Sequence, residues 1–364
     1  MTSTQFSPKL SENKAQATNF IGTECFEFVE FSTDKPQELY KLFENLGFRN
    51  CGKHRTQNVT LFKQGKIHFF VNAERNDFAE DFRNDHGSSA CSMGFKVKDA
   101  QNAYKVLKEK GAEPIDFSSR KRFFPSSIPA IKGIGGAHLY LIDQNGMNDL
   151  YNENFPGSKG IEHIGLGLES IDHLTHNVYQ GNVDQWADYY EKLFNFHEIR
   201  YFDIKGAHTG LISRAMSAPC GQIKIPLNES TDDKSQIAEY LEIYKGEGIQ
   251  HIALTTPNIY ETVEKMRENG IPFMSVPRSY YDMLQTRLPA HGEDVERMAR
   301  SHLLIDGDTP TKSYLLQIFT KTVIGPIFFE IIQRKGHQGF GEGNFQALFD
   351  ALERDQIERG VLKI

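Results

Sequence analysis

Three residues of this chain are of types that hold metal ions, and they recur at nearly equal spacing. Glu330 stands in "GPIFFEIIQRKG", Gly325 to Gly336, where Ile327, Phe328, Phe329, Ile331 and Ile332 read as an almost continuously apolar strand. An ionised carboxylate in such an interior is very costly unless a cation compensates it. His251 stands in "GIQHIALTT" and His173 in "IDHLTHNV", both of which also read as strands. From 173 to 251 is 78 positions and from 251 to 330 is 79, as expected of ligands donated by successive strand units of one module. Two histidines and one carboxylate on a single face leave three coordination positions open, the set with which non-heme Fe(II) activates O2.

Plainer readings compete. A lone strand histidine is more often a core or surface residue than a ligand, and thirteen histidines make chance patterns easy. Glu330 could pair instead with Arg334 or Arg214. In an alternating strand Ile171, His173 and Thr175 share one face and His176 takes the other, while His163 in "IEHIGLG" is a third candidate. Spacing alone leaves the choice among His163, His173 and His176 open.

The elements that must position these residues repeat along the chain. "PQELYKLFENLGF" and "DQWADYYEKLFNF" both carry apolar residues at helical spacing and end on an aromatic that would begin a strand. "SMGFKVKDAQNAYKVLKEKG" from Ser92 and "HIALTTPNIYETVEKMRENG" from His251 both read as a strand, a cap (Asp99, Asn258), an amphipathic helix and a glycine stop (Gly111, Gly270). "GGAHLYLIDQNG" and "GPIFFEIIQRKG" are both apolar strands that run into a Gln and a glycine turn. Matching Gln144 to Gln333 sets Leu141 opposite Glu330. The repeat predicts a duplicated α+β module, and only the second copy carries His251 and Glu330, so the fold needs neither. The expected organisation is a loose polar tail over 1–20, a first module over 21–151, a Pro- and Gly-containing linker over 152–160 and a second module over 161–364.

Composition narrows the function classes. The 364 residues are 39% hydrophobic and 24% charged, as in a globular chain of one large domain or two ordinary ones. A net charge of -7 and a pI near 6.0 argue against a nucleic-acid backbone as main partner. No apolar run is long enough to cross a bilayer, and the first twenty residues have no apolar signal core. The four cysteines (Cys25, Cys51, Cys91, Cys220) form no CxxC pair, which argues against a disulfide framework or a zinc–cysteine site. The expectation is a cytoplasmic enzyme or binding protein.

Taken together, "IDHLTHNV", "RYFDIKG", "IPLNE", "GEGIQHIAL", "LLQIFT", "FFEIIQRKG" and "GFGEGNF" resemble the 4-hydroxyphenylpyruvate dioxygenase family, nearly end to end in the second half and more weakly in the first. The resemblance implies two tandem vicinal-oxygen-chelate modules of βαβββ repeats. The second would form a half-open barrel around one Fe(II), closed by a C-terminal helix. It selects His173 as the first metal ligand, with His251 and Glu330 as the others. The implied reaction turns 4-hydroxyphenylpyruvate and O2 into homogentisate and CO2, a step of tyrosine and phenylalanine breakdown. The substrate brings its own 2-oxo acid, so no separate one is implied.

Further site residues carry over by motif. Ser213, Asn228, Gln236, Gln250 and Gln317 match polar residues of the substrate pocket; amides suit this task because they donate and accept without adding charge. Phe319, Phe340 and Phe345 match the aromatic part of the pocket. "GFGEGNF" invites a phosphate-loop reading, but it lacks GxGxxG and any strand–loop–helix context. The stretch after it, "NFQALFDALERDQIERG", reads as an amphipathic helix, the implied lid, with glycines before it as a hinge. The family implies a homodimer or homotetramer. Two rivals remain: a 4-hydroxymandelate synthase, which tends to carry an aliphatic residue where Phe345 stands, and a non-catalytic binding protein on the same fold.

Overall fold

The computed structural model describes residues 18–118, 122–158, 160, 162–205, 210–341, 343–344, 356–357 and 359–361. The first half builds one sheet from β1 (Thr23–Ser32), β2 (Arg49–Lys53), β3 (Val59–Gln64), β4 (Ile67–Asn72), β5 (Ser89–Val97), β6 (Ala130–Lys132) and β7 (His138–Ile142), in the order β2-β3-β4-β1-β5-β7-β6. The second half builds another from β8 (Ile171–Val178), β9 (His197–Lys205), β10 (Gly210–Ser217), β11 (Lys224–Ser230), β12 (Gly248–Thr255), β13 (Leu304–Asp308), β14 (Ser313–Phe319) and β15 (Phe328–Lys335), in the order β13-β14-β15-β12-β8-β11-β10-β9.

The centres of the two sheets are copies. β1 lies parallel to β4 and antiparallel to β5, which lies parallel to β7. β8 lies parallel to β11 and antiparallel to β12, which lies parallel to β15. Each copy carries the same irregularity. The β1–β5 register slips across Cys91, between the pairs Glu30–Ser92 and Phe31–Ala90. The β8–β12 register slips across Gln250, between Thr175–His251 and His176–Ile249. Such bulges re-aim the neighbouring side chain and recur next to functional sites.

The shared bulge aligns the halves position by position. Ser92 matches His251, Glu30 matches Thr175 and Phe28 matches His173. Gly94 pairs with Tyr140 as Ala253 pairs with Glu330. The residue at the level of Glu330 is therefore Tyr140, and the expected match to Leu141 is one position out. Leu139 and Leu141 face the helices, while Tyr140 and Ile142 face the other side of the sheet.

Local chemistry explains the remaining elements. The helices Ala100–Glu109 and Ile259–Glu268 begin at Asp99 and Asn258, whose side chains accept from Asn102 N and Glu261 N. Both end before glycines with positive φ, Gly111 at 92° and Gly270 at 85°. Alternation along β15 turns Phe329 toward the first half, where its ring lies 6.5 Å from Phe43 and 5.9 Å from Phe69. The same alternation turns Phe328 and Glu330 to the opposite face. The four cysteines are free, and no helix among the described residues is long and apolar enough to cross a membrane.

Candidate metal centre

β8, β12 and β15 are neighbours, and their register brings three side chains to one point. Ala253 of β12 lies between His173 on one side and Glu330 on the other, with His251 two residues back on the same face. One ligand atom each from His173, His251 and Glu330 lies within 4.8 Å of the others. Exposure is 3% for His173, 9% for His251 and 2% for Glu330.

Glu330 Oε2 is 3.0 Å from His173 Nε2 and 3.6 Å from His251 Nε2. The other ring nitrogens are occupied elsewhere. His173 Nδ1 lies 2.8 Å from Asp172 Oδ2, and His251 Nδ1 lies 2.8 Å from Gln250 Oε1. Both partners are acceptors, so they hold the proton on Nδ1 and turn each Nε2 toward Glu330, where a bound metal ion would take its lone pair. Without an ion, burial lowers the His173 imidazole, but Glu330 and Asp172 outweigh it and raise it. Thr175 Oγ1 stands 2.9 Å from His251 Nε2. Glu330 Oε1 is buried with no hydrogen-bond partner among the described residues. Two imidazole lone pairs and an unsatisfied carboxylate oxygen, all buried together, fit a divalent metal.

Neither arginine that could have neutralised Glu330 pairs with it. Arg334 donates to Asp172 from Nε at 2.8 Å and Nη2 at 2.7 Å, and from Nη1 to the carbonyls of His337 at 3.1 Å and Gly339 at 2.6 Å. Arg214 donates to Glu198 at 2.6 Å and Asp184 at 2.7 Å. Burial pushes the Asp172 carboxyl up, but the Arg334 and His173 hydrogen bonds outweigh it and hold the group well below the usual carboxylate range. Burial, with His173 and His176 nearby, pushes the His251 imidazole well down, so it stays neutral.

The rival histidines lie elsewhere. His176 faces the helix Val183–Phe194, 2.8 Å from Tyr190 Oη, and burial pushes it down to about 3. His163 Nε2 meets the Gly47 carbonyl of the first half at 2.9 Å.

Register places four of the eight remaining sequence-predicted residues on the triad's face. Asn228 pairs with Asn177, Ser213 with Asn228, and Phe319 with Glu330; Gln317 is two residues before Phe319. Gln317 Oε1 is buried without a partner among the described residues. A Cβ at Gly341 would come within 2.1 Å of that oxygen, and its φ of +77° also favours glycine. Phe340 sets its ring 5.3 Å from His173 and Phe319 sets its ring 6.4 Å from His251, both edge-on. Gln250 is turned to His251. Gln236 is the first residue of the helix Gln236–Tyr244, half-buried, with no hydrogen bond to the triad among the described residues. Phe345 and most of the expected C-terminal helix lie outside the described residues.

Sequence reasoning missed four neighbours of the triad: Asp172, Thr175, Phe328 and Arg334 as partner of Asp172. Phe328 stacks on His251 at 4.8 Å. Two of the four carried a signal, since Asp172 adjoins His173 and Thr175 shares its predicted strand face.

The chain is similar to known proteins in sequence and in fold. Residues 17–156 match the family model "Hydroxyphenylpyruvate dioxygenase, HPPD, N-terminal", and residues 170–288 match "Glyoxalase/Bleomycin resistance protein/Dioxygenase superfamily". The chain is 51% identical to a 4-hydroxyphenylpyruvate dioxygenase of Pseudomonas aeruginosa, over 96% of this chain and 99% of that one. It belongs to the hydroxyphenylpyruvate dioxygenase family. It is also 51% identical to a protein of Vibrio vulnificus named Hemolysin VllY, over 95% of this chain and 98% of that one. A solved "xylose isomerase-like TIM barrel/4-hydroxyphenylpyruvate dioxygenase fusion protein" superposes with a TM-score of 0.79 at 31% identity, covering 94% of this chain and 53% of that one. The two-module vicinal-oxygen-chelate fold and the assignment as a dioxygenase follow from this membership.

Proposed function

We propose that this enzyme converts 4-hydroxyphenylpyruvate and O2 to homogentisate and CO2 at one Fe(II) held by His173, His251 and Glu330. The observation that carries the reading is the convergence of those three side chains on one buried point, in a chain about half identical to a protein of that name. The catalytic unit is the second module, 161–364; the first, 21–151, carries no equivalent triad among its described residues. When bound, Fe(II) supplies the redox chemistry that couples O2 to loss of the 2-oxo acid's carboxylate and to hydroxylation of the ring.

The protein's own groups do the rest. Asp172 and Gln250 keep protons on the Nδ1 atoms of His173 and His251, so both Nε2 atoms serve as ligands. Glu330 brings the one negative charge. Phe319, Phe328 and Phe340 wall the centre with apolar rings and exclude water from it. Ser213, Asn228 and Gln317 offer neutral polar atoms on the same face to orient the phenol and the keto acid. Gln236 and Phe345 complete the pocket on motif grounds.

The test is reconstitution with Fe(II) followed by O2 uptake and product identification. Homogentisate with stoichiometric CO2 supports the reading. 4-Hydroxymandelate as the main product would transfer the enzyme to benzylic oxidation, and no O2 uptake would make it a binding protein. Phe345→Ile is expected to raise the share of benzylic product, and an unchanged ratio removes Phe345 from control of the outcome.

A further inference from the structure

We propose that the first half binds a small aromatic ammonium compound in a pocket on the face of its sheet that carries Glu30 and Tyr140, at the level that the triad takes in the second half. The proposal stands independently of the activity proposed above.

Glu30 poses in β1 the question that Glu330 poses in β15. It is 2% exposed and accepts from Ser92 Oγ and from Asn72 Nδ2, the latter at 2.8 Å. Among the described residues it has no ion-pair partner. Burial pushes its carboxyl up to about 7, against the hydrogen bonds from Ser92 and Asn72. A buried carboxylate in this condition gains most from a ligand that brings a positive charge and N–H donors.

The space beside Glu30 has the size and walls for such a ligand. A cavity of about 210 Å³ is lined by Glu30, Asn72, Phe78, Phe117, His138 and Tyr140, among others. An apolar cavity of roughly 150 Å³ takes up a benzene ring, so this one has room for a ring and a short chain. His138 is 6% exposed and stacks on Phe78 at 3.4 Å, with Nδ1 3.4 Å from Tyr140 Oη. Burial lowers the ring's pKa to about 3, which leaves it neutral. It supplies a polar contact without adding positive charge. Asp77 and Asp81 line the same cavity. Arg122 lines it too, but its guanidinium lies 4.2 Å over Phe117 and donates to the Ile128 carbonyl at 3.3 Å. A 2-oxo acid would set its carboxylate against Glu30, whereas an arylalkylamine sets an ammonium there and a ring among Phe78, Phe117 and Tyr140.

The probe is 2-phenylethylamine, titrated calorimetrically into the full-length protein. Binding to the wild type and to the Glu330→Ala variant alike is expected, with Glu30→Gln weaker by at least about tenfold, the worth of one charge-assisted hydrogen bond. Crystals soaked with the amine should hold its ring in the cavity beside Glu30, a result that does not depend on the variant folding. The proposal is overturned if the wild type gives no binding, if Glu30→Gln binds equally well, if Glu330→Ala abolishes binding, or if the amine is found only at the triad.

Discussion

The corresponding faces of the two sheets are built on one strand pattern, down to the bulge, and are filled in opposite ways. In the second half, the levels of β8, β12 and β15 nearest the bulge present His173, His251 and Glu330. In the first half the same levels present Phe28, Ser92 and Tyr140. Phe28 is fully buried, stacked 4.9 Å from Phe124, with its ring 5.3 Å from Phe70 and 5.9 Å from Tyr140. Gly94, at the level of Ala253, gives this ring its room: a Cβ there would come within 2.3 Å of it. One scaffold thus tolerates an aromatic plug or the candidate ligand set at the same positions. The fold does not require the triad residues.

The sharpest way to break this contrast is to disarm the second half. His173→Ala, His251→Ala or Glu330→Ala should each cut turnover by on the order of a thousandfold or more and weaken metal binding, because each removes one of the three proposed protein ligands. Metal content by elemental analysis and O2 uptake read the two effects separately. Unfolding midpoints should fall little, since the first half folds without the triad. Wild-type-like turnover in any one of the three rejects that residue as a ligand.

The complementary change is Phe28→Ala. Emptying a fully buried, ring-stacked site should cost about 3–5 kcal/mol of stability. Urea unfolding measures the loss, while O2 uptake per folded molecule should stay near wild type. If turnover fell as steeply as stability, the plug would be serving the distant centre and the division of labour between the halves would be wrong.

What could be read in advance follows from how local each signal is. Caps at Asp99 and Asn258 and the stops at Gly111 and Gly270 rest on contacts within a few residues, and the sequence spells them out. The triad was legible because a Glu amid Ile and Phe contradicts its surroundings, and the choice of His173 over His163 and His176 needed the family. Register was not legible. Aligning the halves on Gln144 and Gln333 assumed equal spacing to the following turn, which put Leu141 where Tyr140 belongs. The bulges at Cys91 and Gln250 have no residue signature, because an extra residue in a strand requires no particular side chain. Nor did any spacing link Asp172 to Arg334, which are 162 positions apart.

That link yields a smaller and more discriminating change. Asp172→Asn removes the charge that Arg334 and His173 share but keeps the shape. Losing such a partner of a ligand typically costs 10–100-fold in metal affinity or activity. Because Arg334 also holds the carbonyls of His337 and Gly339 just before Phe340, Arg334→Ala should match that loss and also raise KM. A loss in kcat alone would confine Arg334 to orienting His173.

The smallest effect belongs to Glu30, and it tests whether the first half is merely inert. Its carboxyl, pushed up to about 7 by burial, sits above its value of 4.5 in the unfolded chain. A folded-state pKa raised in this way contributes stability that is present below about pH 4.5 and is lost as pH rises through 7, because the folded form holds the proton longer. Between pH 5.5 and 7.5 the wild type should therefore lose about 1–2 kcal/mol relative to Glu30→Gln, which cannot ionise. Paired urea titrations at the two pH values isolate this difference from every other titrating group. Equal slopes would mean that Glu30 keeps its charge at an ordinary pKa, compensated by a cation already within the fold, and the first half would then have its own counterpart of the Asp172–Arg334 pair.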